Sequence, residues 1–183
     1  MIETLKDISL RLGESNIKYM VMGSMAVAVY GIPRFTRDID ITVALTPDDF
    51  GLVMNAVKNG FKAIPEDVEN FVKETWVMPL EHRQTGVKVD IIFSISLLET
   101  EAIKATREIK VDEVSVRYIP PEHLIVQKII AGRPVDKKDA AGILEIQGEK
   151  INTVEVERLI KTTGDETNID EWMERWQELK KAI

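Results

Sequence analysis

Apolar residues at Ile2, Leu5, Ile8 and Leu12 recur at helical spacing and predict an amphipathic helix over 2–12, with Leu10 off the stripe and Gly13 as its stop. The run IKYMVMG, 17–23, is short, apolar and ends at glycine, which predicts a buried strand. Ser24 to Tyr30 then reads as a helix closed by Gly31 and Pro33. DIDITVAL, 38–45, alternates polar with apolar, the period of a strand with one face in the core. Thr46-Pro47-Asp48-Asp49 carries a cap residue, a proline at the first helical position and acids in the first turn, so a helix should run to about Lys58. FKAI, after Gly60, suggests an edge strand, and residues 66–76 fit no single period. GVKVDIIF, 86–93, is β-branched and apolar enough to be a strand. Residues 97–106 look helical, and REIKV and VSVRYI around Asp112-Glu113 form a hairpin pattern.

Beyond Pro120-Pro121 the period is helical throughout. Helices are expected at 121–131, 136–147, 153–163 and 169–182, separated by Gly132, Gly148 and Gly164. Asn152 with Glu155, and Asn168 with Glu171, have the spacing of capping boxes. The chain thus divides into an α/β part, 1–120, and a helical part, 121–183, with no internal repeat.

Composition narrows the chemistry. A chain of 183 residues that is 44% hydrophobic can bury a core. The formal net charge of −7 opposes broad binding to nucleic acid. There is no cysteine, which excludes disulfides and thiolate metal sites, and His82 and His123 are too far apart in sequence to suggest zinc. The amino terminus lacks the apolar core of a signal peptide, and no apolar run is long enough to span a bilayer, so a cytoplasmic protein without membrane partners is the expectation.

Three features then line up. Gly23-Ser24 lies at a strand-to-helix turn, where glycine lets a ligand approach the backbone and the helix start offers unpaired N–H groups to phosphate. Asp38 and Asp40 are two apart on a strand and therefore share a face, an arrangement that a divalent cation relieves of its repulsion. Asp90 interrupts an apolar strand, where an acid is costly unless paired or metal-bound. Three carboxylates beside a phosphate-binding turn suit two-metal phosphoryl transfer.

Gly23-Ser24, thirteen intervening residues, Asp38-Ile39-Asp40 and a later lone strand aspartate resemble the DNA polymerase beta-type nucleotidyltransferase superfamily. GSMAVAVYGIPRFTRDIDI resembles its small AbiEii-toxin-like branch, and Arg34, Thr36, Asp38 and Asp40 match the branch's Arg-x-Thr-x-Asp-hydrophobic-Asp pattern. KIIAGRPVDKKD, from Lys128 to Asp139, has a weaker likeness to the family's lysine-bearing helical segment. The resemblance implies an α/β (α+β) fold, a short mixed sheet flanked by helices, with the C-terminal helices appended. It also implies transfer of a nucleoside monophosphate from a nucleoside triphosphate to an acceptor, with release of pyrophosphate. Magnesium or manganese would be held by Asp38, Asp40 and Asp90, and Asp90 would also act as general base. Gly23, Ser24, Arg34 and Lys128 would contact the nucleotide. Protein, RNA and small molecules all stay open as acceptor. A non-catalytic nucleotide-binding module with a partner protein, such as half of a toxin–antitoxin pair, is the alternative. A metal-dependent glycosyltransferase is disfavoured because it needs a larger nucleotide-sugar domain.

Several residues admit a plainer reading. Arg34 and Arg37 can pair with Asp38 or face solvent, and Lys128 can be an ordinary exposed lysine. Arg133, Lys137 and Lys138 are read as a solvated basic face, with Asp139 paired to a basic neighbour. Thr36 is read as a turn hydroxyl and His82 as structural. Trp172, Met173, Trp176 and Leu179 are expected to pack the last helix. Tyr30 and Phe35 are expected to pack in the core rather than to stack on a base.

Overall fold

The structure is a computed structural model that describes residues 1–94 and 96–181. It divides into two compact units, one of residues 1–25 and 35–119, the other of residues 26–34 and 120 onward. The boundary falls inside helix α2 (Gly23–Tyr30), and α1 (Ile2–Glu14) opens the first unit.

The first unit is built on a seven-stranded mixed sheet. Its strands are β1 (Tyr19–Val21), β2 (Asp38–Val43), β3 (Phe61–Ala63), β4 (Val77–His82), β5 (Lys88–Phe93), β6 (Arg107–Val111) and β7 (Val114–Tyr118), in the spatial order β3-β4-β5-β2-β1-β7-β6. β2 runs parallel to β5 and β1 parallel to β7; the remaining pairs are antiparallel. Helices α3 (Phe50–Val57), α4 (Val68–Thr75) and α5 (Leu97–Lys104) complete the unit, with α1 packed on β7 and α3.

The central strands obey the alternation expected of them. Ile39 and Ile41 on β2, Val89 and Ile91 on β5, and Met78 and Leu80 on β4 are all fully buried. The intervening residues on each strand are mostly only partly buried. β3 lies at one edge of the sheet, as FKAI suggests, and the β6–β7 hairpin lies at the other.

The region without a clear period resolves into α4 and, beyond it, β4. Asp67 accepts the Asn70 N–H to cap α4. β4 escapes sequence analysis because Pro79, which has no N–H to donate, sits inside it between β3 and β5. Pro79 still contributes its carbonyl, which accepts from the Ile64 N–H at 3.0 Å. Ahead of α3, the Asp49 carboxylate accepts the Thr46 N–H at 3.0 Å, and a short 3-10 turn over Pro47–Asp49 leads into the helix.

The second unit carries α6 (Pro121–Ala131), α7 (Pro134–Gln147), α8 (Thr153–Thr163) and α9 (Ile169–Lys181). α7 starts two residues earlier than expected because Pro134 fits the first helical position. Asn152 caps α8 by accepting the Glu155 N–H at 3.1 Å. Asn168 does not cap α9 as its spacing suggests; its Oδ1 accepts instead from the Asp165 N–H at 2.9 Å. Trp176 and Leu179 are buried, while Trp172 and Met173 are half-buried. Ala182, the last residue of the expected 169–182 helix, lies outside the described residues.

The two faces of β5 should respond differently to truncation. Ile91→Ala removes a fully buried side chain from the centre of the sheet and should cost about 2–5 kcal/mol in urea unfolding. Ile92→Ala, on the half-buried face, should cost distinctly less.

Candidate active site

The pairing of β2 with β5 decides where the acids stand. Asp40 pairs with Asp90 and Asp38 with Lys88, so all four residues project from the same face. The opposite face carries Ile39, Ile41, Val89 and Ile91 into the core, which leaves the carboxylates on the half-buried side. Burial from solvent is the largest influence on Asp90 and pushes its carboxyl above the ordinary value. The negative charge of Asp38 pushes the same way, and Lys88 partly offsets it.

Gly23 shapes the same corner. Its φ of +59° lies in the left-handed region, which favours glycine. A Cβ built there would overlap Oδ2 of Asp40. Asp40 thus rests against the bare Cα of Gly23, while the Met22 N–H donates to the Asp40 carbonyl at 3.0 Å.

Ser24 and Thr36 form a relay to Asp38. The buried Ser24 hydroxyl donates to Thr36 Oγ1 at 2.8 Å, and Thr36 in turn donates to Asp38 Oδ1 at 2.8 Å. Sequence analysis read Thr36 as a turn hydroxyl within the Arg-x-Thr-x-Asp-hydrophobic-Asp pattern, and its bonds to the carboxylate and the carbonyl of Asp38, across the bend at Arg37, fit that reading. Ser24, expected at the phosphate, spends its proton on this relay.

Among the described residues, no group of three or more His, Cys, Asp or Glu side chains is arranged to hold a metal ion by itself. Magnesium does not require such a cage. It is commonly bound by one or two carboxylates, with substrate phosphates and water supplying the remaining oxygens. The row of acids, one of them held above its ordinary pKa by burial and a like charge, fits that mode.

Arg34 and Lys128 belong to the second unit, where both meet Asp139. Arg34 donates twice to Asp139, at 3.0 and 3.2 Å, and therefore does not take Asp38 as its partner. Lys128 is not an exposed lysine: it is 7% accessible and bridges Asp136 at 3.0 Å and Asp139 at 2.9 Å. Arg133 also holds Asp136. Burial raises the Asp136 carboxyl, but hydrogen bonds from Arg133 and Lys128, together with their charges, outweigh it and leave the pKa below the ordinary value. Lys137 lies 3.6 Å from Glu178, so that part of the basic cluster is a charged surface.

His82 is buried between Asp7 and the hydroxyls of Thr4 and Thr85, a structural junction as expected. Tyr30 is buried, but Phe35 is 81% exposed and does not pack in the core. It lies just before the bend at Arg37, next to Thr36, which bonds to Asp38.

Residues 1–178 match the family described as nucleotidyl transferase of unknown function (DUF2204). The chain belongs to that family. This nucleotidyltransferase matches no curated relative. Its fold is shared with solved structures at low identity. An antigenic nucleotidyltransferase-like protein from Paracoccidioides brasiliensis is 15% identical, with TM-score 0.59 and coverage of 95% of this chain and 92% of that one. ANT(2")-Ia, solved in complex with adenylyl-2"-tobramycin, is 15% identical, with TM-score 0.60 and coverage of 89% and 98%. The lincosamide antibiotic adenylyltransferase LnuA, solved with lincomycin, is 16% identical, with TM-score 0.50 and coverage of 74% and 90%. The mixed α/β architecture expected from the sequence is therefore that of nucleotidyltransferases. No helix among the described residues is long and apolar enough to cross a membrane.

Gly23→Ala and Gly86→Ala form a matched test. Both glycines have positive φ, so each alanine should cost about 1–2 kcal/mol in unfolding experiments. A Cβ at Gly86 meets nothing within 4 Å, whereas one at Gly23 displaces the Asp40 carboxylate. Only Gly23→Ala should also disturb the Asp40 side chain, read from its carboxylate chemical shift by NMR.

Lys128→Met leaves two buried carboxylates without their shared ammonium and should cost about 3–5 kcal/mol at neutral pH. A depressed carboxyl pKa stabilises the fold above its unfolded value and loses that contribution as pH falls through its folded value. The gap between wild type and variant should thus be widest at neutral pH and narrow as the pH falls through the carboxylate range. A gap that stays constant down to pH 3 would show that the charges are not its source.

Proposed function

We propose that the chain is a divalent-metal-dependent nucleotidyltransferase that moves a nucleoside monophosphate from a nucleoside triphosphate to an acceptor hydroxyl and releases pyrophosphate. The observation that carries this reading is the in-register pair Asp40 and Asp90, with Asp38 on the same face and Gly23 pressed against Asp40. Family membership supports it. Asp38, Asp40 and Asp90 would hold magnesium or manganese. The bound cation would neutralise charge on the phosphate oxygens as they enter and leave the reaction.

The protein's own residues account for the remaining steps. N–H groups at the start of α2 bind phosphate oxygens, helped by the positive end of the helix. Asp90, with its raised pKa, accepts the proton of the acceptor hydroxyl as that oxygen attacks the α-phosphorus. The bond from the α-phosphorus to the bridging oxygen breaks, and pyrophosphate carries that oxygen away. Thr36 holds one oxygen of Asp38, which leaves the other free for the cation. Arg34 and Lys128 are proposed as nucleotide contacts on the family pattern alone. The fold shared with two antibiotic adenylyltransferases makes a small-molecule hydroxyl the first acceptor class to test.

Asp40→Asn separates chemistry from stability. It is nearly isosteric and relieves repulsion with Asp90, so the metal-free variant should be as stable as wild type or more so. Magnesium with triphosphate at 100 times Kd should stabilise wild type by about 2.7 kcal/mol and the variant by almost nothing. Incubation with each labelled triphosphate and a cell extract should label an acceptor only with wild type. A variant that keeps the metal-dependent stabilisation would sink the reading.

A further inference from the structure

Among the described residues Phe35 is the most exposed of the large apolar side chains, at 81%, and it stands three residues before the first acid of the site. Its neighbours explain its orientation. The chain bends at Arg37 as it enters β2. Thr36 donates to Asp38 Oδ1, and the Arg37 guanidinium lies over the Phe35 ring, 6.0 Å from its centroid. One short segment thus fixes a candidate metal ligand through Thr36 and offers an open aromatic ring with an adjacent cation. Phe35 and Asp38 are three positions apart in the chain.

We propose that Phe35 and Arg37 form the stacking platform for the base of the donor nucleoside triphosphate. The proposal rests on the nucleotidyltransferase reading above and names the part of the site that receives the base. A flat π-system is the ligand that a phenyl face and a guanidinium plane recognise together, since every nucleobase presents such a face. A mononucleotide is favoured over a base of a polynucleotide acceptor because the chain carries a net charge of −7, which repels a polyanion. No edge-specific hydrogen bond is implied. The platform should therefore tolerate several bases and prefer purines, whose larger faces stack better.

The test compares ATP with inorganic triphosphate, which has the phosphates and no base. Binding of each to the full chain is measured by calorimetry with magnesium, for wild type, Phe35→Ala and Phe35→Trp. Phe35→Ala should weaken ATP about ten- to a hundredfold and leave inorganic triphosphate unchanged. Phe35→Trp should restore ATP binding, with indole fluorescence quenched by ATP and not by inorganic triphosphate. Equal affinity of wild type and Phe35→Ala for ATP overturns the inference and leaves the nucleotidyltransferase reading standing. Equal loss of both ligands also overturns it, because Phe35 would then act through the conformation of the segment that bears Asp38. Failure of wild type to bind ATP with magnesium removes both readings.

Discussion

The parallel pairing of β2 with β5 is the constraint on which the acidic site depends. No hairpin can make this pair; the chain must travel through α3, β3, α4 and β4 before β5 returns beside β2. What fixes the register is the buried face. Ile39, Ile41, Val89 and Ile91 are wholly enclosed, and a slip of one residue would turn Asp90 into the core and Ile91 or Val89 out of it. The apolar residues thus hold Asp90 beside Asp40 against the repulsion of the two carboxylates. A row of acids that would weaken a sheet by itself is carried by the packing of the other side.

Around that row small groups and short bonds shape the site. Gly23 gives Asp40 a place that any Cβ would occupy, and Thr36 takes up one oxygen of Asp38 with a neutral hydroxyl. Lys88 is paired in register with Asp38, but it only partly offsets the burial and the like charge that raise the Asp90 carboxyl. The second unit treats its buried acids differently. There Asp136 and Asp139 are matched with Arg133, Lys128 and Arg34, and Asp136 is driven below its ordinary pKa. Asp90 stands above its ordinary value and Asp136 below it, so burial is outweighed by partners only at Asp136. A cation is stabilised most beside a carboxylate whose burial is not outweighed.

What the sequence made legible follows from the range of the interactions involved. Strands β1, β2 and β5 and the turn at Gly23 declare themselves through local alternation and a glycine at the end of an apolar run. The structure brings Gly23, Ser24, Asp38, Asp40 and Asp90 together in the first unit, since their placement needs only strand period and one strand pairing. β4 was not legible, because Pro79 signals a break and only the neighbouring strands override it. The partner of Arg34 lies 105 residues away at Asp139, beyond any local rule. Asn168 has the spacing of a cap but bonds backward to Asp165, a competition between two local motifs that spacing does not resolve. The exposure of Phe35, beside the bend at Arg37, is a tertiary fact with no compositional trace.

The helices after residue 120 bear on the site through chain connectivity. Residues 26–34, which join the Gly23-Ser24 turn to the Thr36–Asp38 segment, are held by α7. Gly31 lies so close to it that a Cβ would meet the backbone nitrogen of Ile143 at 2.9 Å, and Gly142 similarly receives the side chain of Ile32. Gln147 donates to the Tyr30 carbonyl at 2.7 Å, and Asp139 holds Arg34. The ends of this connection are tied to each other by the hydrogen bond from Ser24 to Thr36, across twelve positions of chain. A free loop of that length would pay its closure entropy each time the relay formed. Residues 26–34 are ordered against α7 within the second unit, so the connection between Ser24 and Thr36 is not such a free loop.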